Sequence, residues 1–339
     1  MTAHARQHSG RFTISNILGK LQRRRTADIH PDAELSPKFD DKLDSDATWE
    51  EQLSSFVKGL PAEEVRSLQC SLTTYTVHGL ILAPLPKRPT AILDAGSGSC
   101  QWAHEVVQSY PEAYVCAVDK MDAHIPALSP LRPKPMTGVD FIIQDLTKIF
   151  RPEWSEKFDV VNVRHVFYEL LEKSWDIVLA NLYTVMQPGG WIQIVEYGNY
   201  SSETQALGQL SRLNKHVMRL DGFAPEQISR IHERLKNSGF HSITHEVETM
   251  LLGRSNPVTR FSQFSVETML ADLTRAQKSN HSKLTGKSVK IDGITEVFPH
   301  TDDEYQQLLL AALKQLQNGS RDVHVFIAQK SSATEVRRS

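Results

Sequence analysis

Cysteine is scarce in this chain of 339 residues: Cys70, Cys100 and Cys116 are the whole supply. Three thiols far apart cannot make a disulfide framework, and no CxxC or clustered Cys/His spacing points to a metal. They read as reduced cysteines of an intracellular protein. Long apolar runs are also missing. The longest, such as 308–313, fall far short of the ~20 residues that span a bilayer, and no leading apolar segment marks secretion. Charge of one sign is lacking too: 38 basic against 40 acidic side chains leave a formal net charge of −2. That balance gives no global pull toward nucleic acid, so any polyanion contact would need a local patch.

What is present is an ordinary globular composition, 40% apolar and 23% charged, without internal repeats or long low-complexity tracts. At roughly 150 residues per domain the length suits two small domains or one α/β domain with added helices. Residues 1–27 carry Arg6, Arg11, Lys20, Arg23, Arg24 and Arg25 and no acid, whereas residues 28–51 carry nine acids against Lys38 and Lys42. Such a sign switch reads as an unfolded leader, 1–48. Its Ile14, Ile17, Leu18 and Leu21 at helical spacing suit a mitochondrial address, its arginine triplet a nuclear one.

A helical cap is expected over 49–86. Leu53, Phe56, Val57 and Leu60 share one face, and Pro61 opens a helix through Val65, Leu68, Leu72 and Tyr75. From there to residue 330 strands and helices alternate. Candidate strands are 91–94, 114–119, 139–143, 158–163, 191–196, 242–247 and 323–329. The first five, linked by helical runs, form the signature of a parallel sheet wound on both faces. A helix opened by the capping box Thr301-Asp302-Asp303-Glu304 and ended near Gly319 precedes the last strand. Residues 253–319, which include a basic, loop-like stretch at 278–290, exceed what a strand connection needs and are expected to fold as a helical lid over the site, or alternatively as a docking face for a protein partner. Residues 331–339 read as a tail.

The chemistry concentrates in Ala91-Ile92-Leu93-Asp94-Ala95-Gly96-Ser97-Gly98-Ser99-Cys100-Gln101-Trp102. A buried strand ends in an acid, turns through two glycines and enters a helix. Glycine there tolerates positive φ and lets a ligand approach the backbone, while the helix start presents N–H groups. Two cofactors compete for such a turn. The dinucleotide fingerprint GxGxxG requires glycine where Gln101 stands. An acid two residues before the first glycine instead suits S-adenosylmethionine, whose ammonium a carboxylate can hold. Asp119 ends the next strand, where it can accept both ribose hydroxyls, and Asp145 after the third strand can read an adenine edge. The strand ends at Asp94, Asp119 and Asp145 fall on one rim of the sheet, where open α/β folds bind ligands.

These residues resemble the class I S-adenosylmethionine-dependent methyltransferases, and more narrowly the LaeA-like fungal methyltransferases of secondary metabolism. The resemblance runs from about residue 50 to 247. It includes Gly79-Leu80-Ile81-Leu82-Ala83-Pro84-Leu85-Pro86, the Asp94 turn, Trp102, Phe158-Asp159-Val160-Val161-Asn162-Val163-Arg164 and Ser174-Trp175. It continues with Val185-Met186-Gln187-Pro188-Gly189-Gly190-Trp191, Glu196 and Leu235-Lys236-Asn237-Ser238-Gly239-Phe240. The resemblance implies a Rossmann-like, seven-stranded α/β sheet with its last strand antiparallel. It implies cofactor contacts from Asp94, Gly96 and Gly98 to the methionine part, from Asp119 to the ribose, and from Gln144, Asp145 and Leu146 to the adenine. Where the family commonly has a third glycine this chain has Cys100, which puts a side chain near the expected ligand.

Methyl transfer requires alignment, exclusion of water and, for many acceptors, removal of a proton. His165, Tyr168 and Glu169 follow the fourth strand; Glu196 and Tyr197 end the fifth. His165 is the first choice of base because neutral imidazole accepts protons near pH 7, with Tyr168 beside it. Arg164 reads as an anchor and Glu196 as a pocket floor. Asn162-Val163-Arg164-His165 lacks the Asn-Pro-Pro-aromatic motif of nucleobase methyltransferases, which argues against a nucleic-acid substrate. The expected partner is a small metabolite. The alternative is a regulator working in the nucleus through protein partners, and the expected compartment is cytoplasm or nucleus.

Overall fold

The computed structural model describes residues 62–120, 137–167, 169–202, 205–223, 225–252, 284–315 and 319–332. The leader and Tyr168 lie outside these residues. Helix α1 (Ala62–Thr76) precedes strand β1 (Ala91–Ala95), helix α2 (Gln101–Ser109), strands β2 (Tyr114–Asp119), β3 (Val139–Ile143) and β4 (Phe158–Arg164), and helix α3 (Trp175–Val185). There follow β5 (Met186–Ser202), α4 (Gln205–Leu220), α5 (Ile231–Asn237) and β6 (Phe240–Leu252). The hairpin β7 (Ser288–Ile291) and β8 (Ile294–Val297), helix α6 (Asp302–Gln315) and β9 (Gly319–Lys330) complete the described chain.

Seven strands form one sheet in the order β3-β2-β1-β4-β5-β9-β6. β1 to β5 are parallel neighbours, and β9 runs antiparallel between β5 and β6. Every residue of β1 and β4 is buried, the consequence of helices on both faces. Alternation along β1 sends Leu93 and Ala95 into a core with Trp175, Leu179 and Leu182 of α3. Ile92 goes the other way, to Trp102, Ala103 and Val106 of α2, and Asp94 shares its side of the strand. The sheet order reverses between β1 and β4, so the crevice above their carboxyl ends is the place where a fold of this kind receives a ligand.

The sheet confirms the expected topology, with β5, β6 and β9 each several residues longer than expected. β5 and β6 extend past the predicted ends because their outer halves pair with β9 over Tyr200↔Arg321 and Met250↔Arg321. Residues 253–283 of the expected lid lie outside the described residues, and at 288–297 a hairpin replaces the helices and loop expected there. Asp292 and Gly293 take φ 49° and 86° in the two-residue turn of a hairpin, the role for which Asp-Gly is suited. That hairpin packs Ile291 and, beyond it, Leu284 and Phe298 against Leu213 and Val217 of α4, and Arg212 pairs with Glu296 at 2.6 Å. At α6, the Glu304 amide donates to Thr301 Oγ1 at 3.1 Å while Glu304 Oε2 accepts from the His300 amide at 2.6 Å, a capping arrangement.

Candidate active site

The turn after β1 is built on a backbone that only glycine takes without strain. Gly96 has φ +78°, and a Cβ on it would lie 2.5 Å from Val166 Cγ1. The amides of Gly96 and Ser97 both donate to the Val118 carbonyl at 2.9 Å, and the Gly98 amide donates to Asp119 Oδ2 at 2.9 Å. With these three amides engaged, the turn offers no ready cradle for a pyrophosphate. The position of the missing third glycine also has positive φ, 54° at Cys100. Its side chain is fully buried among Ile92, Trp102 and Ala103, outside the cavity that its neighbours line.

That cavity, about 320 Å³, brings together Asp94, Gly96, Gly98, Asp119, Gln144, Asp145, Leu146 and His165. Eight of the nine residues expected from the sequence therefore meet in one place; Tyr168 is the ninth. Asp145 is held in a side-chain turn, its Oδ1 accepting from the Thr147 amide and hydroxyl at 2.8 Å each, and the amide bond lowers its pKa. Asp94 differs. Its Oδ1 accepts from Asn162 Nδ2 at 2.8 Å, but Oδ2 is buried and makes no hydrogen bond. Burial pushes its pKa up to about 7. A buried carboxylate oxygen at the mouth of a glycine turn fits an ammonium group, and the residues present thus suit a nucleoside carrying a free amino-acid group better than a dinucleotide.

Behind Asp94 runs a polar ladder that sequence reading missed. Asn162 Oδ1 accepts from Gln193 Nε2 at 2.7 Å and Arg164 Nε at 3.2 Å. The Leu80 carbonyl accepts from Gln193 Nε2, Trp102 Nε1 and Arg164 Nη2 at 2.8, 3.0 and 3.1 Å. Arg164 also donates to Thr74 Oγ1 at 2.8 Å. The segment between α1 and β1 is thereby bound to the strands below the cavity, and α1 contributes Gln69 and Cys70 to its wall. None of the hairpin, α4 or α6 lines the cavity.

The far end is formed by the loop after β4. His165 has φ 56° and stacks on Tyr197 with ring centroids 4.0 Å apart. Its Nε2 lies 2.7 Å from Thr73 Oγ1. The loop is held by Glu196, whose Oε1 accepts from the amides of Val166 and Phe167 at 2.9 and 3.2 Å. Burial raises the Glu196 pKa to about 8. Glu169 reaches across the mouth to Lys120 at 3.4 Å, both half exposed.

A family model described as a methyltransferase domain matches residues 92–190. The N-methyltransferase sirN of Leptosphaeria maculans is 27% identical over 68% of this chain and 81% of its own length. The methyltransferase pytC of Aspergillus terreus is 28% identical over 35% of this chain, and the chain spans only 34% of pytC's length. The secondary metabolism regulator laeA of Monascus pilosus is 27% identical over 50% of this chain and 45% of its own length. The matching domain spans the glycine turn and strands β1 to β4, and the seven-stranded sheet, whose one antiparallel strand sits between β5 and β6, has the architecture of the class I S-adenosylmethionine-dependent methyltransferases.

Proposed function

We propose that the chain transfers a methyl group from S-adenosylmethionine to an oxygen, nitrogen or sulfur of a small metabolite, with His165 as the base. The observation that carries the reading is the convergence of Asp94, the Gly96–Gly98 turn, Asp119 and Asp145 on one cavity whose other end is His165. S-adenosylmethionine, when bound, supplies a methyl carbon already activated by its sulfonium. The chain's residues do the rest. Asp94 Oδ2 holds the ammonium and Asp119 the ribose hydroxyls, while Gln144, Asp145 and Leu146 frame the adenine. His165 takes the proton that the acceptor releases, and Tyr197 and the Glu196-held loop keep the imidazole in place. The similarity to the methyltransferases sirN and pytC supports methyl transfer, and that to the secondary metabolism regulator laeA supports a place in secondary metabolism.

Calorimetry tests the cofactor: S-adenosylmethionine or its demethylated product binds, NAD does not, and preferential binding of NAD would overturn the reading. Incubation with methyl-labelled cofactor and fractionated cell extract then shows where label lands. A regulatory role through protein partners in the nucleus is the second reading, favoured by the similarity to laeA. Label on protein, or none despite cofactor binding, would support it, as would loss of nuclear location on deleting residues 1–45. No helix among the described residues is long and apolar enough to cross a membrane.

A further inference from the structure

Arg164 is a buried cation whose hydrogen-bond partners are all neutral. Only 7% exposed, it donates from Nε to Asn162 Oδ1 at 3.2 Å and from Nη1 to Thr74 Oγ1 at 2.8 Å. Nη2 donates to the carbonyls of Gly79 and Leu80 at 3.3 and 3.1 Å. Burial works against the charge and lowers its pKa, but a guanidinium keeps its proton inside a protein. A charge taken out of water without a bonded counter-ion is costly unless something supplies one.

One donor is left for that purpose. A guanidinium carries five N–H groups in one plane, two of them on Nη1, and Thr74 engages one of those two. Nη2 turns to Gly79 and Leu80, which lie outside the cavity wall, whereas Nη1 turns to Thr74, one helical turn along α1 from Cys70, which is part of that wall. Arg164 itself lines the cavity beside Asp94 and Trp102. Asp94 and Arg164 are gripped by the two ends of one amide, since Asn162 Nδ2 donates to Asp94 Oδ1 while Asn162 Oδ1 accepts from Arg164 Nε. The same stretch of wall thus offers a carboxylate oxygen that lacks a donor and a cationic N–H that lacks an acceptor. An α-amino-acid group, with ammonium and carboxylate on one carbon, complements both. An amine alone satisfies Asp94 and leaves the guanidinium unmet.

We propose that Arg164 is a specificity-determining residue that takes the carboxylate of the cofactor's amino-acid end, so that Asp94 and Arg164 together read a zwitterion. This rests on the reading of the cavity as an S-adenosylmethionine site. Its consequence is discrimination. A cofactor stripped of its carboxylate keeps the ammonium, ribose and adenine, and Asp94, Asp119 and Asp145 serve it equally well. Only a cation facing the missing group refuses it, through a charge-assisted hydrogen bond that one ligand makes and the other cannot. An acceptor that carries a carboxylate is the competing occupant of the same N–H, and the test separates the two.

The test is calorimetry on the full chain at pH 8, with no acceptor present, using S-adenosylhomocysteine and its decarboxylated analogue. Wild type should bind S-adenosylhomocysteine at least about tenfold more tightly than the analogue, the scale of a hydrogen bond to a charged group. Arg164→Gln should cut that preference below about threefold by weakening S-adenosylhomocysteine alone. Arg164→Lys, which keeps the charge but not the fork, should retain part of it. A wild-type preference below about threefold overturns the proposal and leaves the N–H to an acceptor. An undiminished preference in Arg164→Gln also overturns it, because another group then holds the carboxylate. Should Arg164→Gln fail to fold, a crystal structure of wild type with S-adenosylhomocysteine decides, by whether the carboxylate lies within hydrogen-bond distance of Arg164 Nη1. Failure of S-adenosylhomocysteine to bind wild type at all would overturn the cofactor reading and this inference with it, whereas binding without carboxylate preference counts against Arg164 alone.

Discussion

Asn162 binds only one of the two carboxylate oxygens of Asp94, at 2.8 Å, and β1 and β4 place the two residues directly opposite each other. Half of a buried carboxyl is satisfied by the protein and half is not. Burial raises the pKa to about 7, so the folded chain keeps a proton there between about pH 4 and 7 that the unfolded chain has released. The contribution of this group to stability is therefore greatest below about pH 4 and is lost as pH rises through 7. Cofactor binding has the opposite sign, because an ammonium pairs with the ionised form. Affinity for S-adenosylmethionine should rise with pH between 6 and 8, and binding at pH 6.5 should release a proton, seen as a calorimetric enthalpy that varies with buffer. Asp94→Asn should abolish that proton release and weaken binding at pH 8 about tenfold. Equal pH dependence in the variant would remove Asp94 from the ammonium site.

Gly96 combines φ +78° with a Cβ position 2.5 Å from Val166 Cγ1. Gly96→Ala must strain the backbone, at a cost of about 1–3 kcal/mol, and also displace the loop that carries His165. Cofactor affinity should fall more than tenfold, and thermal unfolding should shift downward. Adding Val166→Ala should recover part of the loss through relief of the clash but not all of it, since the backbone strain remains. Full recovery would mean that the turn has no need of positive φ.

The parts of this site that are legible in the sequence are those with a local signature. β2 and β3 end where their apolar runs end, and the acids at 94, 119 and 145 stand at strand termini. The Asp292-Gly293 turn is equally local, an Asp-Gly pair between two short β-prone runs. What stayed hidden depends on distance. The Leu80 carbonyl has no side-chain signal to show that three donors converge on it, and Thr73 meets Tyr197 across 124 positions. Arg164, expected as an anchor, is one. Its partners could not be named before the strand neighbours were known.

Asp119 has two tasks that a single substitution can separate. Its Oδ2 accepts from the Gly98 amide at 2.9 Å, which orders the turn, and ribose hydroxyls would need its charge and remaining acceptor capacity. Asp119→Ala removes both and should cut cofactor affinity at least tenfold, about 1.4 kcal/mol. Asp119→Asn keeps an acceptor for the Gly98 amide and should preserve the melting temperature while still weakening binding. Unchanged affinity in both variants would reduce Asp119 to a turn residue.

Arg164 ties three elements together through hydrogen bonds to Asn162, Thr74, Gly79 and Leu80, and its guanidinium lies over the Trp102 ring at 5.7 Å. Removing a buried cation that satisfies several acceptors leaves them unpaired, at a cost of about 3–5 kcal/mol. Arg164→Ala should therefore lower the melting temperature by roughly 6–20 °C, taking about 2–4 °C per kcal/mol for a chain of this size. Arg164→Lys retains the charge but cannot reach in several directions at once, so its loss should be smaller yet clear. Because the guanidinium fixes residues 79–80 above the strands, limited proteolysis should cut first within 77–90 in both variants. A variant that melts with wild type and resists cleavage there would show that Gln193 and Trp102 alone hold this segment down.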